Sequence, residues 1–137
     1  MSSQLPSQVS VEHETLVSEP PPQMHEALEL VQRIGGVPLL DRVVDLFRTT
    51  SRERMGRFES LITAGDAQQV SRLSHAMKGS AAQVGAESLR AVASGLEHEA
   101  TSLDADAQRS RVATMTQELA RALAQLERYR ARVNGTA

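Results

Sequence analysis

From Met24 onward the apolar residues of this chain recur at intervals of three and four, the repeat of an amphipathic helix. No β-branched alternation competes with that repeat. The punctuation agrees. Gly35-Gly36, Ala64-Gly65 and Gly85 stand where one apolar series stops and the next begins. A chain with this pattern has to bury helical stripes against one another. Its only aromatic residues are Phe47, Phe58 and Tyr129, so Leu, Val, Ile, Met and Ala must fill the core.

The first series, Ala27, Leu28, Leu30, Val31 and Ile34, predicts a short helix that stops at Gly35-Gly36. Pro38 suits the first turn of a second helix. Leu40, Val43, Val44, Phe47, Phe58, Leu61 and Ile62 supply its buried face, and the polar, basic stretch 49–57 lets it overrun the core or kink. Asp66 is a good N-cap for a third helix over about 67–84. Leu89, Val92, Leu96 and Leu103 mark one face of a fourth, with Ala93 and Ala100 filling gaps. Asp104 or Asp106 caps a last helix, in which Val112, Met115, Leu119, Leu123, Leu126 and Val133 keep near-heptad spacing. The predicted fold is all-α: an antiparallel up-down four-helix bundle with a short N-terminal accessory helix, over residues 23–134. Residues 1–22 hold four of the five prolines and read as a disordered tail.

The third helix carries an unusual combination. Around His75 stand Lys78, Gly79 and Ala82, although Gly inside a helix costs about 1 kcal/mol relative to Ala. On a helical wheel Val70, Leu73, Met77, Ala81 and Val84 cluster within about 80° and face the core, whereas His75 lies about 165° from the centre of that stripe. Gly79 shares the outer face, Ala82 is close by, and Arg72 and Lys78 flank the histidine one turn before and after it. His75 is therefore turned toward solvent. Gly79 and Ala82 leave the surface beside it low, so another protein's backbone can approach the ring. Lys78 and Arg72 can neutralise the charge of about -2 that a phosphoryl group brings. Neutral imidazole is plentiful near pH 7 and is a good nucleophile.

The run from Ser74 to Leu89, SHAMKGSAAQVGAESL, resembles the signature of histidine phosphotransfer (HPt) domains of two-component phosphorelays. That signature is a His, Lys-Gly three and four places on, small residues, a Gly-Ala helix junction and a Leu. Leu61-Ile62-Thr63-Ala64-Gly65-Asp66 upstream and Leu96-Glu97 downstream also fit. The resemblance spans residues 24–133. It implies that His75 accepts a phosphoryl group through Nε2 from a receiver-domain aspartyl phosphate and passes it to another receiver domain. Lys78 would give electrostatic support and Gly79 would let the receiver pack close. The receivers, one of a hybrid sensor kinase and one of a response regulator, would supply the Mg²⁺, leaving this chain with no metal or other cofactor. Ser74 departs from the Ala common in the family.

Other functions find little support. A net charge of -2 without a dense basic stripe argues against nucleic acid. The chain has no Cys, and no Glu-x-x-His pair, His-Glu-x-x-His or phosphate-binding Gly-Lys-Ser/Thr loop, so thiolate metal sites, di-iron chemistry and nucleotide hydrolysis are not expected, nor is enzymatic autophosphorylation. His13, His25 and His98 lack partners at metal-ligand spacing. Gly56 and Gly95 read as close-packing positions. Arg48, Arg52, Arg54 and Arg57 read as a solvated face, with partner recognition as the alternative. Neither a signal-peptide pattern nor a membrane span is evident, and the expectation is a cytoplasmic monomer. The rival functional reading is a helical adaptor, or an HPt-like inhibitor, that binds a receiver or kinase without phosphoryl transfer.

Overall fold

The computed structural model describes residues 18–135, in which every regular element is helical and no strand occurs. Helix α1 spans Pro22–Met55, α2 Phe58–Thr63, α3 Ala67–Gln83, α4 Glu87–Glu99 and α5 Ala105–Val133, with a 3₁₀ turn at Ala100–Ser102. One core holds them together. Met24, Leu28, Leu40 and Val44 of α1, Phe58 of α2, Val70 and Met77 of α3, Leu89 and Leu96 of α4, and Met115 and Leu126 of α5 are all buried in it.

The stop expected at Gly35-Gly36 is where the backbone leaves helical space, so α1 is two helical segments joined at a kink. Gly36 has φ 70° and ψ -166°, outside helical space, and Pro38 follows it within α1. Only Leu28 of the first apolar series is fully buried; Leu30 and Ile34 are more than half exposed. The second helix, expected to end at Ala64-Gly65 and either to overrun the core or to kink along 49–57, breaks at Gly56 and Arg57. The Arg57 N–H turns back three residues, to the Arg54 carbonyl at 3.0 Å, and α2 begins afresh at Phe58. Gly56 is exposed, and a Cβ there would come no nearer than 3.5 Å to another atom. It marks the end of a helix, and the expectation of close packing there fails. Gly95 offers only ordinary contact, with Arg111 at 3.5 Å.

The start of the chain lies outside the described residues as far as position 17. Of the segment expected to be a disordered tail, residues 18–22 lie against α5. Glu19 pairs with Arg132 at 2.6 Å, and Pro20 is buried. Further along, Arg130 of α5 reaches Asp45 of α1 at 2.9 Å, Glu127 pairs with Arg48, and the Tyr129 hydroxyl donates to Gln32 Oε1.

Candidate functional site

Helix α3 is fixed at both ends by its own sequence. The Asp66 carboxylate accepts from the Gln69 N–H at 3.2 Å, relieving one of the unpaired donors of the first turn. At the other end the Ala86 N–H reaches the Ala81 carbonyl at 2.9 Å and the Gly85 N–H reaches Ala82 at 3.2 Å, the paired bonds of a glycine C-cap. Gly85 has φ 70°, and a Cβ there would run into the backbone of Gln23 and Met24. The turn between α3 and α4 is thus pressed against the start of α1, and only glycine allows both the conformation and the approach.

Between these ends Val70, Leu73, Met77 and Ala81 face inward, as the wheel requires, and His75 faces out with its side chain 67 % exposed. Ser74, the position that departs from the family pattern, is completely buried; its hydroxyl donates to the Val70 carbonyl at 2.8 Å, so no polar atom is stranded. Gly79 and Ala82 are exposed near the histidine. A Cβ on Gly79 would meet nothing within 4 Å beyond its own helical turns. No neighbour in the fold requires that glycine.

Helix α4 supplies the partner of the imidazole. Leu89, Ala93 and Leu96 form its buried stripe, which leaves Glu97 at the edge facing α3. The Ser71 hydroxyl donates to the Glu97 main-chain carbonyl at 2.7 Å and fixes the height of α4 against α3. The Glu97 carboxylate then receives two groups from α3: His75 Nδ1 at 2.7 Å on Oε2 and Lys78 Nζ at 2.5 Å on Oε1. Lys78 foremost, then His75, hold the Glu97 carboxyl below the usual carboxylate range against the opposing effect of its burial. An ionised carboxylate only accepts, so Nδ1 is the protonated nitrogen. In the neutral ring Nε2 is left with its lone pair, and it makes no hydrogen bond among the described residues.

The structure therefore brings His75 and Lys78 together through Glu97, a residue to which the sequence alone gave no role. Arg72 is exposed on α3 and forms no ion pair among the described residues. Of the basic cluster, Arg48 pairs with Asp45 and Glu127, and Arg54 donates to Ser80 Oγ at 2.6 Å, bracing α1 against α3. Arg52 and Arg57 are exposed. His25 stacks edge-on against Tyr129, His98 is exposed, and His13 lies outside the described residues. No group of three or more His, Asp and Glu suited to a metal ion occurs among the described residues, and no helix there is long and apolar enough to cross a membrane.

An exposed histidine with one nitrogen fixed and the other open is free to act as a nucleophile through the open one. The sequence model of the Hpt domain matches residues 42–129. The chain belongs to the Hpt domain family. The match opens inside α1, beyond the kink at Gly36, and closes inside α5, so it takes in α2, α3 and α4 whole. Hpt domains are helical bundles that serve as histidine phosphotransfer carriers in phosphorelays and meet receiver domains of kinases and regulators. No curated protein and no solved structure matches the chain.

Proposed function

We propose that this Hpt protein is a phosphorelay intermediate in which His75 takes a phosphoryl group from the aspartyl phosphate of one receiver domain and gives it to another. The observation that carries this reading is the pairing of His75 Nδ1 with Glu97 at 2.7 Å while the ring stays 67 % exposed. In the first half-reaction the Nε2 lone pair attacks phosphorus, and the bond from phosphorus to the aspartyl oxygen breaks with its electrons leaving on the carboxylate. The second half-reaction is the reverse, on a different aspartate. The receiver contributes the Mg²⁺ and the carboxylates that hold it. This chain contributes a nucleophile of fixed tautomer, the Lys78 and Arg72 charges beside the incoming phosphoryl oxygens, and a low surface at Gly79 and Ala82 over which the receiver settles.

The same reading takes in several finer expectations. The contacts Arg48 with Glu127 and Asp45 with Arg130 run in opposite directions along α1 and α5, which favours an up-down antiparallel bundle. In that bundle the part of α1 before Gly36 acts as the accessory helix. The reading further holds that the protein works as a cytoplasmic monomer, without a nucleotide site, a metal or nucleic acid of its own.

The test is to mix the purified chain with a phosphorylated receiver domain and follow the label. Uptake that survives alkali and is lost in acid is expected for the wild type, and none for His75→Gln. Equal uptake by the two proteins removes His75 from the role.

A further inference from the structure

Glu97 gives the site a property that exposure of His75 alone does not. We propose that phosphoryl transfer at His75 moves no proton, because Glu97 keeps the Nδ1 proton on the ring in the phosphorylated form as well as in the free one. The proposal rests on the carrier reading and adds the protonation state of its intermediate.

In the free protein the Glu97 carboxylate lies between two N–H donors, Nδ1 of His75 at 2.7 Å and Nζ of Lys78 at 2.5 Å. Its side chain is only 18 % exposed, so water cannot readily replace either donor. When Nε2 forms its bond to phosphorus, the lone pair is used and the ring acquires a positive charge with the Nδ1 proton still in place. In water such a ring titrates near neutral pH, as imidazole does, and a good part of it loses that proton. Here the ring charge arises against a carboxylate already at hydrogen-bond distance. Giving up the proton would leave Glu97 facing a bare nitrogen lone pair.

The other charged groups of these helices do not offer an alternative partner. On α3 itself Lys78 is held by Glu97, and Arg72 is exposed and cationic. From α1, Arg54 is engaged with Ser80 Oγ at 2.6 Å and the Ala76 carbonyl at 3.4 Å. On α2, Glu59 pairs with Arg109 of α5 at 3.0 Å, and on α4 His98 is exposed next to Glu97. Glu97 is the carboxylate that meets Nδ1.

The retained proton matters to the second half-reaction. When the next aspartate attacks, the N–P bond breaks and its electron pair returns to Nε2. With Nδ1 protonated the leaving group is neutral imidazole; without the proton it is an imidazolate, a far stronger base and a poor leaving group. The phosphohistidine would thus remain a competent donor above the pH at which an unassisted ring fails.

The experiment compares wild type with Glu97→Gln, each phosphorylated with phosphoramidate and followed from pH 6 to 9 by ³¹P and ¹H–¹⁵N NMR. Ser71 holds the main chain of residue 97 and not its carboxylate, so the variant keeps the seam between α3 and α4. The expected result is a phosphorylated ring that stays protonated through pH 8 in wild type and titrates near neutrality in Glu97→Gln. Transfer from the variant to a receiver domain then falls about tenfold per pH unit above that point, while wild type stays level. The same inflection in both proteins overturns the proposal and leaves the carrier reading standing. Failure of wild type to form phosphohistidine with either phosphoramidate or a phosphorylated receiver overturns the carrier reading itself.

Discussion

Glu97 Oε2 of α4 lies 2.7 Å from His75 Nδ1 of α3, across 22 positions of sequence and one helix junction. That contact turns an exposed histidine into one with a defined tautomer. Replacing Glu97 by Ala removes a charge-assisted hydrogen bond of about 1.5–3 kcal/mol. Phosphoryl uptake by His75 should then slow about tenfold or more, with the helical fold intact by circular dichroism.

Gly79 separates stability from function. A Cβ there meets open space, and Ala in a helix is favoured over Gly by roughly 0.5–1 kcal/mol. Gly79→Ala should therefore unfold a few degrees higher than wild type in a thermal melt. Larger residues raise the surface beside the imidazole, so Gly79→Leu should slow transfer from a receiver severalfold while labelling by phosphoramidate, a small donor, changes little. A glycine kept for the fold would show the opposite: lower melting and unchanged transfer.

Gly85 behaves in the reverse way. At φ 70° a side chain is strained by about 1–2 kcal/mol, and its Cβ also meets the Gln23 backbone. Gly85→Ala should lose at least ~2 kcal/mol in a denaturant titration, with the folded fraction still accepting phosphoryl groups on His75.

Acid should loosen the seam between α3 and α4. Glu97 is held below its ordinary value of 4.5, so the unfolded chain binds the proton more readily than the folded one. The stabilisation is fully present above about pH 4.5 and is lost as pH falls through the lower folded value. Glu19, Asp45, Glu87 and Glu99 are shifted in the same direction by arginines, on more exposed surface where solvent screens the effect. Melting temperature should fall below pH 4.5, and Glu97→Gln should flatten part of that fall.

Much of this was readable from local signals. Asp66 and Asp104 cap α3 and α5 with their side chains, and Gly85 ends α3, because caps depend on a few neighbouring residues. The outward direction of His75 followed from helical spacing alone. The break at Gly56 and Arg57 falls at the end of the polar, basic stretch 49–57, whose composition admits either an overrun or a kink; which of the two occurs shows only in the backbone. Leu30 and Ile34 keep helical spacing yet face solvent, since spacing does not say which side of a short segment meets the core. The role of Glu97 was out of reach for a different reason. Its position beside the buried Leu96 was visible, but its register against His75 is set by packing between two helices and by the bond from Ser71. Residues 18–22 were read from their prolines, and their pairing with Arg132 depends on the far end of the chain.

The most direct measurement of the central claim is reconstitution of the relay with two receiver domains, the first phosphorylated and the second not, with and without this chain. The account predicts that label reaches the second receiver only when wild-type protein is present, by way of an acid-labile phosphohistidine that maps to His75, and that His75→Gln stops it. Passage of label at the same rate with His75→Gln, or with no added chain, would contradict the account.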